Sequence, residues 1–220
     1  MRVSKRHDVR LNEILDAAEL MFTQTGYEKA TVNNVLDKVQ IGKGTLYYYF
    51  ESKEEMADGV IERAIKDITA TAKAAADAPA SGAHEKMMKV ISSLNIADSP
   101  HFPLFGALGN PANALLHQKV TLGMIRELAP ILASVVKQGA EEGIYHTDYP
   151  LETMEIVLAA NQTLYNWTIM QFEPEERAPR MAAFLRMIEL SLGAKEGSFN
   201  FMYAAYEPPE VKQNPDGLLK

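Results

Sequence analysis

The chain has 220 residues, a length at which folding removes roughly 70% of the unfolded surface from water, so its cores need no covalent staple. It contains no cysteine, which excludes disulfides, thiolate metal sites, iron–sulfur clusters and a cysteine nucleophile. The net charge of −7 argues, taken whole, against a nucleic-acid partner, but residues 1 to 53 hold eight bases against seven acids and the remainder carries −8. That asymmetry suggests an N-terminal unit able to meet a polyanion and a body that avoids one. Apolar runs are short, and the basic start Met1-Arg2-Val3-Ser4-Lys5-Arg6-His7 leads into polar sequence, so the expectation is a soluble cytoplasmic protein with no membrane partner.

The first helix is expected from about Asp8 to Thr25, because Leu11, Ile14, Leu15, Ala18, Met21 and Phe22 recur at helical spacing with Glu13, Asp16 and Glu19 opposite. Gly26 stands where a left-handed C-cap is needed, and Tyr27 supplies the apolar contact beyond it. Thr31 reads as the N-cap of a short helix carrying Val32, Val35, Leu36 and Val39. Two glycines in Gln40-Ile41-Gly42-Lys43-Gly44 make a turn into Thr45-Leu46-Tyr47-Tyr48-Tyr49-Phe50.

Ser52-Lys53-Glu54-Glu55 is a capping box, predicting a sharp start to a fourth helix whose stripe is Met56, Val60, Ile61, Ala64 and Ile68. That helix fades through the alanines of 70–78 and ends at Pro79-Ala80-Ser81-Gly82. Periodicity returns over 87–94, breaks at Ser99-Pro100-His101-Phe102-Pro103, and returns from Val120 to Gly143, with Pro130 expected to kink that helix or start its second half. Two more helices are expected, from about Leu151 to Phe172 and from about Glu175 to Leu192. The tail from Gly193 has no helical signal, and its aromatics Phe199, Phe201, Tyr203 and Tyr206 either dock or fray. With no strand-like alternation, the fold class is all-α with about nine helices: a compact N-terminal unit over 1–52, a helical body over 53–194 and a tail over 195–220.

Two short helices joined by a glycine-containing turn meet the physical requirements of a helix-turn-helix. A major groove about 12 Å wide admits one helix, so the reading residues must sit in its first turn and a half. Lys43, Thr45 and the hydroxyls of Tyr47, Tyr48 and Tyr49 are suitable donors, and Gly44 lets backbone approach closely. The competing reading of the Tyr-Tyr-Tyr-Phe run is a packed aromatic face.

Ala30-Thr31-Val32, Ile41-Gly42-Lys43-Gly44-Thr45-Leu46-Tyr47-Tyr48-Tyr49-Phe50 and Ser52-Lys53-Glu54-Glu55 resemble the TetR family of bacterial transcriptional regulators over residues 8 to 60. A weaker similarity lies in Gln138-Gly139-Ala140-Glu141-Glu142-Gly143-Ile144-Tyr145 and Asp148-Tyr149-Pro150. The resemblance implies that Thr31 and Lys53, with Tyr47 and Tyr49, contact phosphate, that Lys43, Gly44, Thr45 and Tyr48 face bases, and that Leu46 and Phe50 pack inward. Three departures stand out. Gln40 replaces the family's usual glycine, Gly42 replaces a frequent capping serine, and Leu36 and Val39 replace alanines of the bracing helix. A left-handed Gln40 would carry about 1 kcal/mol of strain.

The resemblance also implies a homodimer on a double-stranded, pseudo-palindromic operator, repression, and a small-molecule effector bound inside the body. The last helix has more apolar surface than one packing stripe uses, with Phe184, Met187 and Ile188 as interface candidates; the competing reading is burial on all sides within one chain. The chamber candidates are Met87, Phe102, Phe105, Met124, Tyr165 and Trp167, suited to an apolar or amphipathic molecule, the competing reading being core filling; the amides Asn161, Gln162 and Asn166 either orient a polar group or satisfy each other across the dimer interface. An enzyme is not expected, nor any cofactor or metal. The histidines are scattered, and Gly42-Lys43-Gly44-Thr45 lacks the strand and spacing of a phosphate-binding loop. The alternative reading is a helical ligand-binding or protein-interaction module without specific DNA binding.

Overall fold

The computed structural model describes residues 2–94, 99–108, 113–164 and 172–205. Their elements are α1 (Arg2–Thr25), α2 (Val32–Val39), α3 (Lys43–Tyr49), α4 (Lys53–Ala76), α5 (Ala83–Ser93), α6 (Phe102–Leu108), α7 (Ala114–Glu141), α8 (Pro150–Leu164), α9 (Pro174–Ser191) and the single turn α10 (Met202–Ala205). No strand occurs among the described residues, so the all-α class stands.

α4 is the spine. One face buries Met56, Ala57, Val60, Ile61, Ala64, Ile65, Ile68, Ala72 and Ala76, and α1, α5 and α7 pack around it. The small residues permit close approach. A Cβ on Gly123 of α7 would meet the terminal Cδ1 of Ile65 at 2.5 Å, so that side-chain end packs against the glycine. Lys119 of α7 also donates to Asp58 of α4.

Two elements in the middle of the chain, α6 and α7, depart from expectation. The prolines at 100 and 103 were expected to mark a break, yet α6 forms with Pro103 as its second residue, where a missing N–H leaves no intrahelical bond unmade. α7 begins at Ala114 rather than Val120. Its buried stripe starts with Leu116, but exposed Leu115 and Leu122 blur the pattern. It also runs as one helix past Pro130, which lies on the exposed face. The tail docks as far as it is described: Phe199 and Met202 are buried, Phe199 stacks on Tyr145 with centroids 6.2 Å apart, and His84 meets Phe201 edge-on at 5.9 Å. Expectations for residues 165–171 and for Tyr206 onward lie outside the described residues.

The α7–α8 corner explains its own sequence. Gly143 takes φ +75, and Ile144 and Tyr145 both donate backbone N–H to Gly139 O at 2.9 and 3.1 Å. The Tyr145 ring then packs against Gly139, where any Cβ would clash with it. Gly82, the N-cap of α5, has no side chain to offer, and Glu142 substitutes by accepting from Ala83 N at 3.0 Å. That backbone bond, helped by Gln138, holds the Glu142 carboxyl below its ordinary pKa.

Candidate nucleic-acid interface

Each end of the helix-turn-helix is set by a local device. Gly26 takes φ +79 after α1, and Tyr27 turns its ring against Phe22 at 5.3 Å. Thr31 caps α2: its hydroxyl oxygen accepts from Asn34 N at 3.2 Å, while Asn34 Oδ1 accepts from Thr31 N at 2.9 Å. Gln40 closes α2 in the left-handed region, φ 56 and ψ 46, with its N–H donating to Leu36 O at 2.8 Å. The residue that replaces the family's glycine therefore adopts the conformation that favours glycine.

α3 is seven residues long and buries one of them, Leu46, with Phe50 buried just beyond its end. Those two side chains anchor the helix, and the rest of its surface faces out. Lys43, Gly44 and Thr45 are exposed, Tyr47 is 43% exposed and Tyr48 73% exposed, while Tyr49 is half-buried. An aromatic face packed for stability would not leave Tyr48 so open. A Cβ at Gly44 would meet nothing within 4 Å, so the fold does not demand glycine there, and its bare backbone is available to an approaching partner. Gly42 is likewise unobstructed and caps α3 without a side-chain bond. Lys43 Nζ sits 5.6 Å from the Tyr47 ring centroid, gathering a cation and a phenol at one edge of the face.

The capping box at α4 differs in one detail. Ser52 Oγ accepts from Glu55 N at 3.0 Å as expected, but the Glu55 carboxylate takes the amide of Glu51, at 2.6 Å, instead of that of Ser52. Lys53 reaches back to the α1–α2 turn, donating to Tyr27 O at 3.1 Å and lying 4.3 Å from the Tyr27 centroid. The same ring donates its hydroxyl to Glu54 Oε1 at 3.3 Å, and burial followed by the Glu54 charge pushes its pKa up to about 12. Thr31 and Lys53 thus both make internal bonds. The Thr31 hydroxyl also donates to Asn34 Oδ1 at 2.7 Å, which leaves the exposed Asn34 amide NH₂ as a donor beside it that sequence reading passed over.

Sequence reading also missed the ties between this unit and the body. His101, buried just before α6, places Nδ1 2.6 Å from Glu19 of α1 and Nε2 3.1 Å from Asp67 of α4. Arg63 of α4 donates to Asp16 at 2.6 Å and Glu19 at 2.7 Å. Burial works against the Arg63 charge, yet the bonds to Glu19 and Asp16 outweigh it and raise its pKa. The partners lie 34 to 82 residues from His101, beyond any local signal.

The remaining candidates scatter. Met87 and Met124 are buried, Phe105 and Asn161 half-buried, and Phe102 is 49% exposed, so it lines no interior chamber. Tyr165, Asn166 and Trp167 lie outside the described residues. A groove of about 190 Å³ between α4 and α7 is lined instead by Lys73, Ala76, Asp77, Pro130, Ile131 and Ser134. On α9, Phe184 and Ile188 are buried within the chain, and Met187 keeps 37% exposure. Among the described residues, no group of three or more histidines and acids could hold a metal, and no helix is long and apolar enough to cross a membrane.

Two family models match. Residues 14–60 match the one described as bacterial regulatory proteins, tetR family, and residues 105–187 the tetracyclin repressor-like C-terminal domain; together they take in more than half the chain. An uncharacterized HTH-type transcriptional regulator of Bacillus subtilis, YhgD, is 28% identical over 131 residues, 60% of this chain and 67% of that one. The HTH-type transcriptional repressor KstR2 of Mycobacterium tuberculosis is 38% identical over 60 residues, but those are 27% of this chain and 30% of that one. In fold, RolR in its complex with resorcinol is similar with a TM-score of 0.59 at 17% identity, covering 94% of this chain and 99% of that one. The chain belongs to the TetR family of bacterial regulatory proteins.

Proposed function

We propose that this regulator is a repressor that binds a pseudo-palindromic operator as a homodimer through α3 and is released by a small apolar or amphipathic molecule. The observation that carries the reading is the division of labour in α3. Leu46 and Phe50 hold it, and Lys43, Gly44, Thr45, Tyr47 and Tyr48 are left outward with donors suited to base edges and phosphates. Tyr49, Thr31 and Lys53 border that face as phosphate contacts. Exposed Ile156 on α8 and Met187 and Leu190 on α9 supply apolar surface for a second copy to cover.

Release requires that the effector favour a state in which the two α3 helices lose their spacing. α4 is the element that moves, since it touches α1 through Arg63, α7 through Asp58 and Ile65, and the segment just before α6 through Asp67. The effector's binding to the body is supported by the family, and by a similar fold, RolR, having been solved with resorcinol.

The test is selection of random duplex DNA by the full chain, followed by binding of the selected sequence across salt concentrations. The expected result is an inverted repeat bound by a dimer with a steep negative salt slope. Enrichment of nothing above background would favour the interaction-module reading.

A further inference from the structure

We propose that His101 is a proton-operated latch that holds the start of α6 on both α1 and α4, closed when its imidazole is a cation and open when it is neutral, so that operator affinity falls as pH rises. The proposal rests on the regulator reading and adds a regulation to it. His101 is only 8% exposed and joins side chains from three parts of the chain. Its Nδ1 meets Glu19 of α1 and its Nε2 meets Asp67 of α4, while Arg63 of α4 donates to the second oxygen of Glu19 and to Asp16. Backbone bonds hold the ring's own residue in place: Ser99 Oγ accepts from His101 N at 3.2 Å, and His101 O accepts from Phe105 N at 3.1 Å in the first turn of α6.

Both ring nitrogens thus face carboxylates, which accept and do not donate when ionised. A neutral imidazole has one N–H, so it satisfies one carboxylate and points a lone pair at the other; imidazolium donates to both. Glu19 shares its other oxygen with the Arg63 guanidinium at 2.7 Å, which favours a carboxylate there, and Asp67 keeps 61% of its side chain in water. The surrounding charge agrees. Asp16, Glu19 and Asp67 stand against Arg63 alone, α6 has no charged residue over Phe102–Leu108, and the neighbouring Lys66 is paired with Glu62. With the proton gone, a lone pair and a carboxylate oppose each other in a site nearly closed to water, and one of the two bonds opens. Arg63 still ties α1 to α4, so the effect is a loosening at α6. α1 packs on α2 of the helix-turn-helix as well as on α4 and α6, so that loosening frees the angle of α3 to the body, and a two-fold operator is read at one fixed spacing of its two α3 helices.

The experiment is a pair of pH titrations on the full chain, from about pH 5.5 to about 8.5, the range in which imidazoles change charge. Nitrogen NMR of the histidine rings, with His101→Gln assigning the signal, should show His101 protonated on both nitrogens at the acid end, and amide shifts in α1 and α6 should follow its titration. Binding to the selected duplex should weaken by up to about tenfold per pH unit for each proton the latch takes up, whereas His101→Gln, which can hydrogen-bond but not titrate, should give a flatter profile. Asp67→Asn keeps an acceptor oxygen on an exposed side chain and removes its charge, so it should move the ring's titration to lower pH with the fold intact. A His101 ring that stays neutral throughout, or a parent and two variants with one and the same pH profile of binding, overturns the latch and leaves the regulator reading standing. A parent chain that selects no duplex at any pH overturns both.

Discussion

The helix-turn-helix unit and the body solve opposite problems. α3 buries one residue in seven, Leu46, with Tyr49 half-buried beside it, and turns the other five outward, so its fold hangs on very few side chains. α4 spends ten of its twenty-four residues on burial and carries its contacts through paired groups such as Arg63 with Glu19 and Lys119 with Asp58. For stability, a short helix with one buried side chain tolerates change on its surface and is fragile at its anchor. A long spine is robust at single positions and sensitive where backbones touch.

The largest effect should fall on the anchor. Leu46→Ala removes the one buried side chain of α3 and should cost about 2 to 5 kcal/mol in denaturant unfolding, with DNA binding lost alongside, whereas Tyr48→Ala should change stability by no more than about 0.5 kcal/mol. Equal losses from both would break the contrast. In the body the matching weak point is Gly139. Gly139→Ala drives a methyl group into the Tyr145 ring and should cost about 1 to 3 kcal/mol, although alanine is the better helix former, while DNA contacts stay intact.

A pH scan sharpens the same corner. Burial, with the Glu142 charge adding to it, pushes the Tyr145 phenol up to about 12 from an ordinary 10.0, so the folded state favours the neutral form. Its contribution is intact below pH 10 and drains away as pH rises towards 12, by about 1.4 kcal/mol per unit. Denaturant melts of Tyr145→Phe should show a shallower alkaline loss, with Tyr27 leaving a residue of it, since that phenol is also raised to about 12. The smallest effect belongs to Gln40→Gly, which relieves a left-handed φ of 56 and should stabilise by up to about 1 kcal/mol without altering α3.

The helix-turn-helix was legible because its signals are local. A cap, a left-handed glycine and a two-glycine turn each act within four residues, and the structure carries out Gly26, Thr31, Gln40 and Leu46 as the pattern implies. α6 was misread because a proline in a helix's first turn looks the same in sequence as a proline that ends one. The His101 bridge and the docking of Phe199 on Tyr145 depend on residues far apart in the chain, which spacing cannot announce. No effector site was legible in the sequence, for a related reason. Methionines and aromatics at helical spacing fill cores, and Met87 and Met124 do so here.

The most direct test of the account is the Thr45→Ala/Tyr47→Ala variant, compared with the parent for binding to the selected duplex, for melting temperature and for dimerisation. Both side chains are exposed, so the account predicts loss of specific DNA binding with melting temperature and oligomeric state unchanged. Retained binding, or a loss of fold in its place, would contradict the claim that this face of α3 reads DNA.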